Sequence, residues 1–238
     1  MPLKKASESE RRQIQIQIAS KPSIDHKPSF NFTKPYIKNK NVLDVGCWSG
    51  QYEMLAKDYV KNIVGIDPGK EAIKFANKNL SKYKNITFRV GRAEKLEFSN
   101  NSFDTVVMLA VLEHLPINSE KKALEEIYRV LKPNGYLILS TPSKNIFSIL
   151  LDPAYFLIGH RHYSLKQLSD FLNKTSFKIN KVRYIGGFAH LITHNIEMIC
   201  KHVFKRIFNR PKWLRRRIEN EFKNRGFSEI IVAAQKIS

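Results

Sequence analysis

Residues 41 to 142 repeat one pattern: a short apolar run, a turn, then a stretch with apolar residues three and four positions apart. The runs are "NVLDV" (41–45), "NIVGID" (62–67), "ITFRV" (86–90), "FDTVVML" (103–109) and "YLILSTP" (136–142). Between them, "GQYEMLAKDYV" has apolar residues at 52, 55, 56, 59 and 60, and "GKEAIKFANKNL" aligns Ile73, Ala76 and Leu80. "SEKKALEEIYRVL" aligns Leu124, Ile127, Tyr128 and Leu131 behind Ser119, a candidate cap. Apolar strands alternating with amphipathic helices predict a parallel sheet covered on both faces, since each helical crossover returns the chain in the same direction. Further on, "SLKQLSDFLNKT" reads as a helix capped by Ser164, "FKINKVRYI" as a strand and "FSEIIVAAQK" as the closing strand. The reading is one domain over 1–238, with an N-terminal helical segment (1–40) and a basic amphipathic helical insertion (187–226) before the last strand.

In an open parallel sheet, ligands sit at the carboxyl ends of the strands. Here "NVLDVGCWSG" (41–50) runs from the first strand into a turn flanked by Gly46 and Gly50. Asp67 ends the second strand, where an acid can take both hydroxyls of a ribose. A dinucleotide would need G-x-G-x-x-G, which Trp48 interrupts. Asp44, two residues ahead of the turn, would repel a phosphate but suits an ammonium and a sulfonium. S-adenosylmethionine carries both and no phosphate.

"VLDVGCWSG", "VGIDPGKEAIKFA", "VGRAEKLEFSNNSFDTVVMLAVLEHL" and "LKPNGYLILSTP" resemble, in order and spacing over about residues 37–185, the motifs of class I S-adenosylmethionine-dependent methyltransferases. The likeness is to the small-molecule type that includes quinone-biosynthesis enzymes. It implies a Rossmann-like, doubly wound α/β sheet of seven strands, mostly parallel with an antiparallel last strand and helices on both faces. It implies S-adenosyl-L-methionine as cofactor, with Asp44, Gly46, Cys47, Trp48 and Gly50 around the methionine part. By position, Asp67 and Pro68 belong to the ribose, Arg92 and Ala93 to the adenine, and Leu109 and Ala110 lie beneath the methyl. The chain departs from the pattern at Trp48, usually a small residue, and at Arg92, usually an acid. Arg92 cannot accept from the adenine amine but can stack on its ring.

For acid–base work the candidates are His114 in "LEHL" and His160 and His162 in "GHRHYS", ranked ahead of Tyr163, with Arg161 a further candidate to position the acceptor. No metal site is expected from these spacings. Cys47 reads as a small turn residue rather than a nucleophile. "LAVLEHL" stands where nucleobase-amine enzymes carry a tetrapeptide such as N-P-P-Y.

Charge supplies a second constraint. The chain has 41 basic and 21 acidic residues, yet residues 41–140 hold 14 and 12, so the excess lies in the flanks. Polyanionic partners are implied. Along residues 188–208, apolar residues fall at 192, 196, 199, 200, 203, 204, 207 and 208, with Lys201, His202, Lys205 and Arg206 opposite. "NRPKWLRRR" follows, with Trp213 and Leu214 among basic residues. Two fates suit such a helix: its apolar face packs on the domain, or residues 188–217 rest on an anionic membrane and lead a small-molecule or lipid-linked acceptor to the methyl. RNA held by the basic flanks is the alternative partner, disfavoured because aliphatic residues rather than stacking aromatics interleave the charges. The N-terminus carries no apolar run, and "IFSILLDPAYFLIG" (146–159) is too short and broken to span a bilayer. The expected location is cytoplasmic, with membrane association from that side.

Overall fold

The computed structural model describes residues 26–202, 204, 208–223 and 226–237. Seven strands form one sheet in the order β3-β2-β1-β4-β5-β7-β6. They are β1 (Asn41–Val45), β2 (Asn62–Asp67), β3 (Ile86–Val90), β4 (Phe103–Leu109), β5 (Leu131–Pro142), β6 (Phe177–Ile185) and β7 (Glu229–Lys236). β1 to β5 pair in parallel, and β7 slots antiparallel between β5 and β6. The order reverses at β1 and β4, so the carboxyl ends of these two strands border the crevice where ligands bind.

Helices cover both faces. One core layer packs α4 (Glu120–Val130) and α7 (Leu165–Lys174) against Leu43, Val45, Val106 and Leu137. The other packs α1 (His26–Ile37), α2 (Gln51–Ala56), α3 (Lys70–Leu80) and α9 (Lys212–Lys223) against Val42, Ile63, Val107 and Ile138. Neighbouring residues of one strand thus serve opposite layers, as the two-residue strand period demands. α4 buries Ala123, Leu124, Ile127 and Val130, each large side chain contributing about 1.5–3 kcal/mol. Tyr128 instead donates its hydroxyl to the Ile237 carbonyl.

Ser164 closes a full capping box with Gln167. Ser119 stands at the start of α4 but makes no cap; its hydroxyl donates to the Pro116 carbonyl at 2.6 Å. The greasy 146–159 segment breaks at Asp152 into α5 (Ile146–Leu150) and α6 (Pro153–Ile158). α8 covers Phe188–His202; of the residues expected to carry the helix on to 208, Phe204 and Phe208 are not helical. The chain before His26, residues 203 and 205–207, and the side chains of Lys201 and His202 fall outside the described residues. No helix among the described residues is long and apolar enough to cross a membrane.

Candidate active site

The turn after β1 is held from below by β2. The Gly46 and Cys47 amides both donate to the Ile66 carbonyl, at 2.8 and 3.0 Å, and the Gly50 amide donates to the Cys47 carbonyl. The Trp48 amide donates to Asp67 Oδ2 at 3.1 Å, while Asp67 Oδ1 accepts from the Gly69 amide at 2.8 Å. Four turn donors are therefore spent inside the protein instead of aimed at a phosphate. Gly46 and Gly50 sit at φ +82° and +83°. A Cβ on Gly46 would come within 2.2 Å of Val111 Cγ2, so no other residue fits where the turn meets the segment after β4.

Trp48 also has a left-handed φ, of +48°, which explains why a small residue is the usual occupant. Its indole is half exposed and stands clear of the core. Cys47 is buried, and burial with Glu53, Asp44 and Asp67 nearby pushes its thiol far above the ordinary range. It is no nucleophile.

Beneath the turn lies a feature that helical periodicity does not disclose. Glu53, on α2, is fully buried, and Gly65 makes its room: a Cβ there would lie 2.4 Å from Glu53 Oε1. Its carboxyl lies beside that of Asp44. Burial, and then the Asp44 charge, push its pKa well up. Burial likewise lifts Asp44 to about 7; the neighbouring Glu53 carboxyl opposes that rise and the Asp67 charge adds to it. Three acids, two of them desolvated, lie under a turn whose donors are already engaged. That lining takes a cation and rejects pyrophosphate, so these residues fit S-adenosylmethionine.

Around the crevice, Pro68 is exposed beside Asp67, and Gly91 donates its amide to the Asp67 carbonyl at 3.1 Å. Arg92 is exposed and reaches Glu94 at 3.4 Å. With Ile66, Val90, Glu97 and Phe98 it lines a recess of about 170 Å³. The Ala93 side chain is buried in the core, so its backbone is what remains for an adenine. Ala110 takes φ +53° and donates its amide to the Ser140 carbonyl, which sets Leu109 and Ala110 at the end of β4.

The chain then makes a single 3-10 turn, Leu112–His114, and here the histidines gather. The His114 and His160 rings stack with centroids 4.9 Å apart. Partial burial, then the charges of His160 and Arg161, lower the His114 pKa. His160 Nδ1 is 2.6 Å and His162 Nε2 2.8 Å from one oxygen, Asp152 Oδ2. Asp152 was legible only as a break in an apolar run; an acid inside such a run is the signal that marks it. Glu113, buried and raised to about 8 mainly by desolvation, accepts from Thr141 beneath this group.

Arg161 and Tyr163 do not join the histidines. The Arg161 guanidinium donates to the Leu112, Glu113 and Leu115 carbonyls and to Glu120, tying down the 3-10 turn. The Tyr163 hydroxyl donates to Glu120 at 3.0 Å and is buried. Tyr163→Phe is thus expected to lower unfolding stability by about 0.5–1.5 kcal/mol, as loss of one hydrogen bond does, and to leave turnover unchanged; denaturant titration beside a methyl-transfer assay checks both.

A doubly wound sheet with an acid-lined glycine turn and an acid ending its second strand defines a binder of a cationic adenosine cofactor. Residues 43–139 match the family profile described as a methyltransferase domain. The ubiquinone/menaquinone biosynthesis C-methyltransferase UbiE of Rickettsia prowazekii is 40% identical over 124 residues, covering 48% of this chain and 49% of that protein. An uncharacterized Haemophilus influenzae protein is 31% identical over 173 residues, 68% of this chain and 64% of its own length. The chain thus spans about half to two-thirds of these relatives. A Methanosarcina mazei S-adenosylmethionine-dependent methyltransferase shares the fold with a TM-score of 0.62 at 21% identity, over 87% of this chain and 97% of that one. Residues 43–139 are a methyltransferase domain, and the relatives support a class I S-adenosylmethionine-dependent methyltransferase.

Proposed function

We propose that the protein transfers a methyl group from S-adenosylmethionine to a small, lipid-linked or saccharide acceptor at an anionic membrane surface. Bound S-adenosylmethionine supplies a methyl on a sulfonium, a good leaving group, so alignment of the acceptor provides most of the acceleration. Asp44, ionised beside the protonated Glu53, supplies the negative field for the cation, and Asp67 holds the ribose. His114, kept neutral by its lowered pKa, takes the proton from an acceptor hydroxyl. His160 and His162, fixed through Asp152, shape the acceptor side.

The observation that carries the membrane reading is the orientation of α8. Its apolar stripe, Phe188, Ile192, Ile196 and Ile199, faces solvent, with Ile192 and Ile199 each 49% exposed. The inward side holds His190 and Thr193, both buried. An amphipathic helix with its greasy side outward needs another apolar phase. Phe147 of α5 packs on Phe188 at 5.2 Å, and the exposed Ile146, Leu150 and Phe156 extend the ridge. Tyr155 of α6 meets the His162 ring at 5.5 Å, so the ridge adjoins the histidines. Nearby in sequence, Lys212, Trp213, Arg216, Arg217 and Asn220 of α9 line an open basin of about 810 Å³, a complement to anionic headgroups. A relative named for quinone biosynthesis supports an acceptor that lives in lipid.

The protein is expected to sediment with vesicles containing anionic lipid. Changing Ile192, Ile196 and Ile199 together to Ser should lower partitioning about 100-fold, at roughly 1 kcal/mol per side chain. Protein that stays in the supernatant with such vesicles but shifts RNA with a steep salt slope would transfer the assignment to a nucleic-acid acceptor.

A further inference from the structure

Asp152, His160 and His162 form a cluster that methyl transfer does not use in full. Asp152 lies in the turn between α5 and α6, and both histidines lie in the extended stretch before α7. One donor atom from each falls within 4.8 Å of the other two. His162 is buried, and its Nδ1 is 3.0 Å from the Ser143 carbonyl at the end of β5. A carbonyl only accepts, so Nδ1 carries a proton and, in a neutral ring, Nε2 is a bare lone pair. That lone pair faces Asp152 Oδ2, itself an acceptor, at 2.8 Å, and His160 Nδ1 faces the same oxygen at 2.6 Å. Two acceptors so close repel each other unless a positive centre joins them.

A second proton on His162 is one such centre and a divalent cation is the other. The cation accounts for more of the arrangement. Two imidazole nitrogens and one carboxylate oxygen converge, a donor set suited to zinc-type ions with one position open. The backbone carbonyl behind His162 fixes its ring as outer partners of metal-bound imidazoles do. Bonds of about 2.0–2.1 Å in a tetrahedron ask for donors roughly 3.3 Å apart, so Asp152 Oδ2, now 2.8 and 2.6 Å from the two nitrogens, need withdraw by well under one ångström.

We propose that Asp152, His160 and His162 hold one divalent transition-metal ion of the zinc type, whose open position takes an oxygen of the acceptor. This reverses the expectation of no metal drawn from sequence spacing. The use of the open position rests on the methyl-transfer reading; ion binding does not. The ion at the carboxyl end of β5 and His114 stacked on His160 then act together, one polarising an acceptor hydroxyl and the other receiving its proton.

Full-length protein stripped with chelator is titrated with Co²⁺, then with Zn²⁺ as competitor, while calorimetry follows S-adenosylmethionine separately. One equivalent of Co²⁺ with the intense visible bands of a tetrahedral site is expected, displaced by Zn²⁺. Asp152→Asn and His162→Ala should each weaken Co²⁺ at least 100-fold, since even outer partners are worth 10–100-fold. His160→Gln, at a more accessible position, should do the same with thermal unfolding unchanged. Protein that binds S-adenosylmethionine yet leaves Co²⁺ with the spectrum of the hydrated ion, its His162 ring doubly protonated by NMR, would overturn the metal site alone. Loss of S-adenosylmethionine binding with Co²⁺ binding intact would instead sink the methyl-transfer reading.

Discussion

Asp67→Ala is expected to weaken S-adenosylmethionine at least hundredfold. The side chain has two duties. Its oxygens accept the Trp48 and Gly69 amides, fixing the turn after β1 and the approach to α3. Their remaining lone pairs are the ones offered to a ribose. A hydrogen bond to a charged group contributes about 1.5–3 kcal/mol, or ten- to a hundredfold in affinity. Removing the carboxylate also frees the Trp48 amide, whose residue holds an unfavourable left-handed φ at about 1–2 kcal/mol. With that anchor gone the residue relaxes, and the cradle between Gly46 and Gly50 relaxes with it. Asp67→Asn keeps one acceptor oxygen and should lose about tenfold, which separates hydrogen bonding from charge. Calorimetric titration reads both variants, with denaturant unfolding as control. An unchanged affinity in Asp67→Ala would remove the ribose assignment and, with it, the placement of the cofactor.

The sheet was legible because each strand buried on both faces writes itself as a continuous apolar run; the sequence boundaries of β1, β2, β3 and β4 coincide with those in the structure. The glycine turn was legible for a similar reason. Positive φ at Gly46 and Gly50 is demanded by backbone geometry, which leaves its mark in residue type. What stayed hidden came from partners distant in the chain. Glu53 looks like a solvent-facing residue of α2 until Gly65, on the neighbouring strand, is seen to make a pocket for it. Asp152 looks like a helix breaker until two histidines eight and ten residues later turn back on it. Arg161 looked as free as its neighbours, yet the 3-10 turn after β4 consumes its donors. Periodicity carries no record of where a helix ends: the apolar period runs on past His202, yet Phe204 and Phe208 are not helical. Nor does it say which way a helix faces: the stripe on α8 is evident in the sequence, but its exposure depends on what α5 and α9 leave uncovered.

Asp44 should make both stability and cofactor binding depend on pH in a way Asp44→Asn does not. Its pKa is about 7 in the folded protein, chiefly through burial, against an ordinary value of 3.8. Between about pH 4 and 7 the folded state therefore holds a proton that the unfolded state has lost. More protons bound in the native state means that stability falls as pH rises through this window. Above pH 7 the penalty is complete, and below pH 4 it vanishes. Asp44→Asn removes that titration. The variant should thus gain steadily on the wild type as pH rises across the window and stay level above it. Binding runs the other way. A sulfonium and an ammonium favour the ionised carboxylate, so wild-type protein at pH 6 to 7 should release a proton on binding S-adenosylmethionine and bind more tightly as pH rises to 8. The variant, more stable at pH 8, should bind at least tenfold more weakly there. Urea titrations at several pH values read the first effect; calorimetry in two buffers of different ionisation enthalpy reads the proton. Equal stability slopes in the two proteins, with no proton released by the wild type, would mean that the acids under the turn stay charged without help from the cofactor, and the electrostatic basis for preferring a sulfonium over a pyrophosphate would be lost.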